Sequence, residues 1–295
     1  MNEIISVIVN GLSVGSMYAL LALGLAMVFA ILGLVNFAHG ELIAVTGYSM
    51  FFLALTGMPF IGIVIFAVIF AVIAAILMER IAFRPVRNAT LAAGLMTSFA
   101  LEMIVEAGWS NFISPLRMPI RVPAWLIQFW PIADTGISTH QGIAIILTVV
   151  TVISLTIFLK RATLGLAIRA AAENFPVTQL MGIRANRVVA TAFAISGLLA
   201  GFVGFLWIAQ RGSVDPHIGM NPTIKAFIAV IFGGVGSLSG AVAGGLILGF
   251  MEVGLRTYLP ADALPFRDAI GYMVVVLVLL RWPDGLISIR RAAED

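Results

Sequence analysis

The sequence predicts an all-α polytopic membrane protein of about eight or nine transmembrane segments, some of them broken or re-entrant. Three observations carry that reading. Hydrophobic residues fill 61% of the 295 positions and charged residues 11%, against about a half and about a quarter in a soluble domain. The apolar residues fall in long runs, several near the ~20 residues that one span needs. Short connections separate the runs, so residues 1–295 read as one transmembrane domain. A packed soluble enzyme is excluded, as is a disordered or nucleic-acid-binding chain. There is no cysteine, which removes disulfides and thiolate-bound metals. The three histidines, His39, His140 and His217, are widely separated, which disfavours a His-rich metal site.

The first run, Ile4 to Leu34, carries no charge and is long enough to tilt or to contain a break. The N-terminus lacks the basic region of a cleaved signal peptide, so this run is expected to stay in the mature protein. Asn36-Phe37-Ala38-His39-Gly40-Glu41 is a compact polar insert before a short run, Leu42 to Thr56. Gly57-Met58-Pro59 is a turn signal. Phe60 to Met78 follows, then a basic loop with Arg80, Arg84 and Arg87. Leu91 to Trp109 carries Glu102 and Glu106, four apart and hence on one helix face. Residues 110–140 form the longest polar connection, with Trp125 and Trp130 suited to an interface. Gly142 to Leu159, Val188 to Ala209, Thr223 to Leu259 and Ala269 to Leu280 are the remaining runs. The third of these is broken by Gly233-Gly234-Val235-Gly236-Ser237-Leu238-Ser239-Gly240.

Orientation follows from the basic residues. Eleven of the 17 lysines and arginines fall in 79–90, 160–187 and 281–295, which marks those segments and the C-terminus as cytoplasmic. The net charge of +3 records this asymmetry. Loops 210–222 and 260–268 then lie outside. The stretch 223–259 must go in and return, with its glycine-rich break as a cytoplasmic-side turn or a re-entrant tip. The same parity puts Asn36–Glu41 at or toward the cytoplasmic side and the N-terminus outside.

Irregular backbone inside a bilayer survives where protein or water satisfies its polar groups. Such breaks also point to a transport pathway. Asn36, His39, Gly40 and Glu41 at the first break, and Gly233, Gly234, Gly236 and Ser237 at the second, are therefore pathway or gate candidates; the competing reading is close helix packing by small residues. Glu102 is a further candidate, about 17 Å into its helix. A carboxylate there lines a pathway, pairs with a neighbouring helix, is protonated or sits near the outer interface beside Trp109. Glu252 has Arg256 four residues on as an available partner.

The phosphate-cradling pattern G-x-x-x-x-G-K-[ST] is absent, since neither Lys160 nor Lys225 follows a glycine. No ATP hydrolysis occurs in this chain by that route, so an ion gradient drives transport, a partner subunit hydrolyses ATP, or the chain is a passive channel. The segment 160–187 is too polar to span and too rich in helix formers to be a passive loop. Pro176 suits a helix start, Val177, Leu180 and Met181 form one apolar stripe, and Gly182 is a stop. This short amphipathic helix reads as a docking knob for another subunit, or as a helix lying on the membrane surface.

Several separated stretches, in order, carry a resemblance: ALLALGLAMVFAILGLVNFAHGE, ERIAFRPVR, GLAIRAAAENFPVTQLMGI, KAFIAVIFGGVGSLSGAVAGGLILG and YMVVVLVLLRWPDGL. They resemble the permease subunits of branched-chain amino acid ABC importers, and among the two permeases of such systems the H-type. Only 110–140 lacks a family signal. The resemblance implies a fold similar to the ribose and cobalamin importer permeases. It implies a second, homologous permease, two cytoplasmic ATP-binding subunits and an extracytoplasmic substrate-binding protein, all at the bacterial cytoplasmic membrane. This chain would hold no cofactor of its own, ATP and Mg being bound by the partner ATPases. It also implies that Arg169, Glu173, Asn174, Val177, Leu180, Met181, Gly182 and Ile183 form the segment that couples to the ATPases. Closely similar permeases serve importers of urea, short amides or aromatic acids. A stand-alone secondary transporter or channel is the rival of a different class.

Overall fold

A computed structural model describes residues 2–87, 89–132, 135–283 and 285–286. The basic tail positions Arg290 and Arg291 lie outside these described residues. Helix α1 (Asn2–Leu32) is followed by a 3-10 turn (Phe37–Gly40) that leads into α2 (Glu41–Leu55). Helix α3 (Phe60–Met78) runs on through a π turn (Glu79–Phe83), and α4 (Leu91–Phe112) begins at an N-cap where Thr90 accepts from the Ala93 amide. Next come α5 (Thr139–Arg161), α6 (Thr163–Glu173), α7 (Phe175–Leu180), α8 (Ala185–Arg211), α9 (Met220–Gly233), α10 (Leu238–Tyr258) and α11 (Arg267–Arg281). Among the described residues, eight helical stretches are long and apolar enough to cross a membrane. The chain is an all-α polytopic membrane protein.

Helix α1 is the hub. At 31 residues it is about 46 Å long, enough to cross the ~30 Å hydrocarbon layer with tilt. It packs against α10 through small residues. Gly11 faces Phe250, Gly15 faces Gly249 and Leu246, and Ala19 faces Gly245. The rising and falling numbers make the pair antiparallel, and the four-residue spacing is the small-xxx-small pattern that lets helix backbones approach. Helices α3 and α8 pair in the same way, with Gly197 and Gly201 against Ala71, Ala75 and Val68. Tyr18 lies beside Trp207 and Gly24 beside Ser196, so α1 and α8 are also antiparallel and end at opposite faces.

Those two ends behave alike. Gly33 closes α1 with φ 69° and Gly212 closes α8 with φ 65°, the left-handed turn that glycine adopts without a Cβ penalty. After each, seven further residues run back into the protein, to Gly40 and to Gly219. Asn36 and Asp215 hold the same place in the two segments, as do Val35 and Val214. The first segment brings the His39 ring against Gly24, nine residues before Gly33 and hence about 13 Å back along α1. The second brings Val214 against Gly47 of α2. They meet where Gly40 and Gly219 touch backbone to backbone, and a Cβ on either would collide with the other's main chain. From this crossing α2 and α9 leave toward opposite faces. The arrangement is an inverted pair of re-entrant elements.

This corrects the expectation that Asn36–Glu41 lies at or toward one face. The segment starts at that face and climbs into the layer. It also changes 210–222 from a surface loop into an element that dips inward. The break at Gly233–Gly240 is the turn between α9 and α10, as parity requires. Helix α9 has 14 residues, about 21 Å, too short to cross the whole layer.

The 110–140 connection forms a small cap. Phe129–Ile132 pairs antiparallel with Thr135–Ser138, and Met118–Pro119 pairs with Ser213–Val214. Ser138 and Gln141 make a reciprocal capping box at the start of α5. Lipid-sized apolar side chains remain exposed on α3 (Ile61, Ile65, Phe70), α4 (Met96, Phe99, Met103) and α5 (Ile146, Val150, Ile153).

The crossing gives a sharp test. Gly219→Val is expected to cost about 1–3 kcal/mol or more by overpacking. Thermal melting of purified protein by size-exclusion fluorescence should fall well below wild type. Gly108→Ala, where an added Cβ meets nothing within 4 Å, should leave the melt unchanged.

Candidate functional site

Three places combine polar chemistry with a position that the fold dictates. The first surrounds the crossing. The returning segments satisfy their own main chain with tight turns: His39 N–H donates to Asn36 O at 3.2 Å, Ile218 N–H to Asp215 O at 3.2 Å, and Thr223 Oγ1 to Gly219 O at 2.7 Å. His39 is fully buried, with Nδ1 3.2 Å from Ser196 Oγ. Its Nε2 and the Oδ1 of Asn36 are buried without a hydrogen-bond partner among the described residues.

Beside them, Glu41 is 2% exposed at the first position of α2. Its neighbours come from α4. The carboxylate oxygens of Glu41, Glu102 and Glu106 lie within 4.8 Å of one another. Trp109 Nε1 donates to Glu41 at 3.1 Å, and His217 Nδ1 is 3.0 Å from Glu106. Tyr48 stacks on Trp109 at 4.4 Å, and Phe37 on Phe99 at 4.1 Å. The structure thus joins Asn36, His39, Gly40, Glu41 and Glu102 in one neighbourhood and adds Glu106 and His217. Carboxylates are hard-cation ligands, but acidic side chains gather for many reasons and these three assign no metal.

Gly233, Gly234, Gly236 and Ser237 belong elsewhere, at the far end of α9. Ser237 caps α10 by accepting from the Gly240 amide at 3.0 Å. Gly233 and Gly240 approach through their main chains, and Leu286 N–H donates to Phe232 O at 2.9 Å. Residues 285–286 therefore lie against this turn.

The second place is a charge network inside the layer. Lys225 of α9 is 5% exposed. Its Nζ lies 2.7 Å from Glu252 Oε2 on α10 and 3.5 Å from Asp268 Oδ1 on α11. Tyr18 OH of α1 donates to the same Glu252 oxygen at 2.7 Å, and the Lys225 ammonium sits 5.5 Å from the Tyr18 ring centroid. Four helices are tied by one lysine. The partner of Glu252 is therefore Lys225, from another helix, and not the Arg256 that i+4 spacing offers. A lone lysine within a long apolar run is the signal that sequence reasoning passed over.

The third place is the face that carries the basic segments. Glu79, 0% exposed, opens the π turn at the end of α3. Arg84 donates Nη2 to its Oε2 at 2.8 Å and Nε to its Oε1 at 3.2 Å. Arg87 donates Nη2 to Oε1 at 2.6 Å. Arg87 Nη1 reaches Asn186 Oδ1 in the first turn of α8 at 2.9 Å. The end of α3 is thus fastened to the helix that follows residues 163–183.

That segment is two helices. In α6, Ile168 and Ala171 are buried, and Gly165 lies against the main chain at the end of α5. Asn174 then caps α7, accepting from Val177 N–H at 3.1 Å, with Pro176 in the first turn. Val177, Leu180 and Met181 are 50%, 85% and 77% exposed. Gly182 ends the turn with φ 80°. Arg169, Glu173 and Ile183 complete the stretch around an apolar stripe that the described residues leave uncovered.

Residues 7–280 match the family model described as branched-chain amino acid transport system / permease component. The chain is 32% identical over 299 residues to the high-affinity branched-chain amino acid transport system permease protein LivH of Salmonella typhimurium, covering 95% of this chain and 94% of that one. It is 34% identical over 296 residues to the corresponding permease BraD of Pseudomonas aeruginosa, covering 95% and 94%. A more distant likeness, 26% over 262 residues, joins it to the ribose import permease RbsC of Escherichia coli K12, covering 84% and 77%.

The charge network makes its own prediction. Lys225→Met strands Glu252 and should destabilise the protein by about 3–5 kcal/mol. The double variant Lys225→Met/Glu252→Leu should recover much of that loss. The readout is the melting midpoint of the purified protein.

Proposed function

Because the chain belongs to the family of branched-chain amino acid transport permease components, we propose that it is one of two permease subunits of an ATP-driven importer for branched-chain, hydrophobic amino acids. The observation that carries the coupling is the apolar stripe Val177, Leu180 and Met181, exposed on a capped helix at the basic face. A transporter working alone has no need of such a knob. A chain without a phosphate cradle needs an engine, and this is where it would attach.

The basic face is then cytoplasmic, with the C-terminus on that side, in the inner membrane of a bacterium. Two ATP-binding subunits hold ATP and Mg, so the chain carries no cofactor. They seat on the segment containing Arg169, Glu173, Asn174, Val177, Leu180, Met181, Gly182 and Ile183. The second, homologous permease covers part of the apolar surface that α4 exposes, which places the pathway between the two subunits. Asn36, His39, Gly40, Glu41 and Glu102 line it near its middle. Gly233, Gly234, Gly236 and Ser237 form the inner gate at the α9–α10 turn. An extracytoplasmic binding protein delivers substrate to the outer loops, chiefly 110–140, 210–222 and 260–268.

The mechanism follows from rigidity. Closure of the ATPases moves α7, and α6 and α8 flank it. Arg87 ties α8 to the end of α3, so α3 moves with them. Helices α2 and α9 leave one crossing in opposite directions, so tilting one element against the other exposes it to the two sides in turn. Apolar substrate side chains pass walls that are mostly apolar.

Three measurements check the reading. Leu180→Asp or Glu173→Lys should abolish transport while leaving the protein inserted at normal levels; transport at the normal rate would remove the coupling assignment. In the reconstituted complex, loaded binding protein should stimulate ATP hydrolysis with leucine, isoleucine or valine. Stimulation by urea, short amides or aromatic acids instead would reassign the substrate. His39→Ala should strongly reduce transport, and an unchanged rate would return His39 to a packing role.

A further inference from the structure

Between the π turn and the end of α7 lies a cleft of about 460 Å³ lined by Arg84, Arg87, Gln179, Ile183, Ala185 and Asn186. Its polar lining is rich in N–H donors. Arg84 spends Nε and Nη2 on Glu79, and its side chain is 36% exposed, so Nη1 stays available. Arg87 spends Nη1 and Nη2, and its Nε is buried with no partner among the described residues. The Asn186 carbonyl is taken by Arg87, which leaves the amide N–H groups of that side chain to donate. Gln179 is exposed on the opposite wall. Glu79 neutralises one of the two guanidinium charges and has both oxygens occupied. The cleft therefore keeps a positive charge, and among the described lining residues none is a carboxylate.

We propose that this cleft is a socket for a carboxylate side chain of the cytoplasmic ATP-binding subunit, a second contact beside the α7 stripe. The proposal rests on the reading that α7 docks those subunits. The free Nη1 of Arg84, beside the donating amide of Asn186, offers N–H groups that suit a carboxylate. The case for a protein rather than a lipid headgroup is continuity. Gln179 and Ile183 belong to the same turn that exposes Val177, Leu180 and Met181, so whatever buries that stripe also roofs the cleft. An apolar stripe and a cationic socket side by side fit an interface with an apolar centre and a charged rim.

The test uses the assembled permease pair in nanodiscs of zwitterionic lipid, titrated with purified ATP-binding subunits. Gln179→Glu fills the socket from within, and Arg84→Gln removes its exposed charge while Arg87 still holds Glu79. Each should weaken ATPase-subunit binding by about tenfold at about 50 mM salt. The difference should shrink at about 500 mM salt, where charges are screened. Gln179→Ala should bind nearly as wild type. Wild-type affinity and salt response in both Gln179→Glu and Arg84→Gln, with binding still lost in Leu180→Asp, would overturn the socket and leave the docking face standing. Normal binding in Leu180→Asp would overturn the docking reading beneath it. If the variants change binding of phosphatidylglycerol vesicles and not of the ATPase subunits, the cleft serves a lipid phosphate and the proposal fails.

Discussion

At Gly40 and Gly219 two main chains touch inside the apolar layer with no side chain between them. Main-chain polar groups cannot be left open to hydrocarbon, so each returning segment bonds to itself in tight turns and is walled by packed helices. This contact fixes where α2 and α9 begin, hence how far each can reach. It also explains why α9 is short and why Glu41 is buried rather than at a surface. The rest of the fold holds two chain reversals from opposite faces in register at one point.

Two kinds of force do the holding. Across the layer, α1 with α10 and α3 with α8 approach through glycine and alanine, where dispersion at close range replaces a hydrophobic driving force that lipid does not supply. Against that background a few charges act as fasteners. Lys225, Glu252, Asp268 and Tyr18 tie α9 to α1, α10 and α11 near the start of α9. Glu79, Arg84, Arg87 and Asn186 tie α3 to α8 at the basic face. The first network secures the crossing, and the second secures the helices that flank the exposed α7 stripe. The fasteners thus link the helices beside α7 to those that wall the crossing.

Much of this was legible in the residues. Run lengths and the basic asymmetry gave the spans and their parity, because hydrophobic length and charge are properties of each segment alone. Pro176 and Gly182 marked α7, because start and stop signals act within a few residues. The 36–41 break was visible as irregular, but its depth was not. Depth depends on what it meets, and Gly219 is 179 positions away. The matched Gly-Xaa-Val-Asn and Gly-Xaa-Val-Asp openings at 33 and 212 were the available hint of the inverted pair. Glu252 shows the same limit from the other side: i+4 spacing suggested Arg256, and tertiary packing supplied Lys225.

If α7 couples to ATP-binding subunits as proposed, this permease moves substrate only when those subunits drive it. The most direct measurement is uptake of radiolabelled leucine into proteoliposomes holding the chain alone under a sodium or proton gradient. It is compared with proteoliposomes holding the chain, a second permease, ATP-binding subunits and a substrate-binding protein. The account predicts no gradient-driven uptake by the chain alone and ATP-dependent uptake by the assembly. Gradient-driven uptake by the chain alone would contradict it.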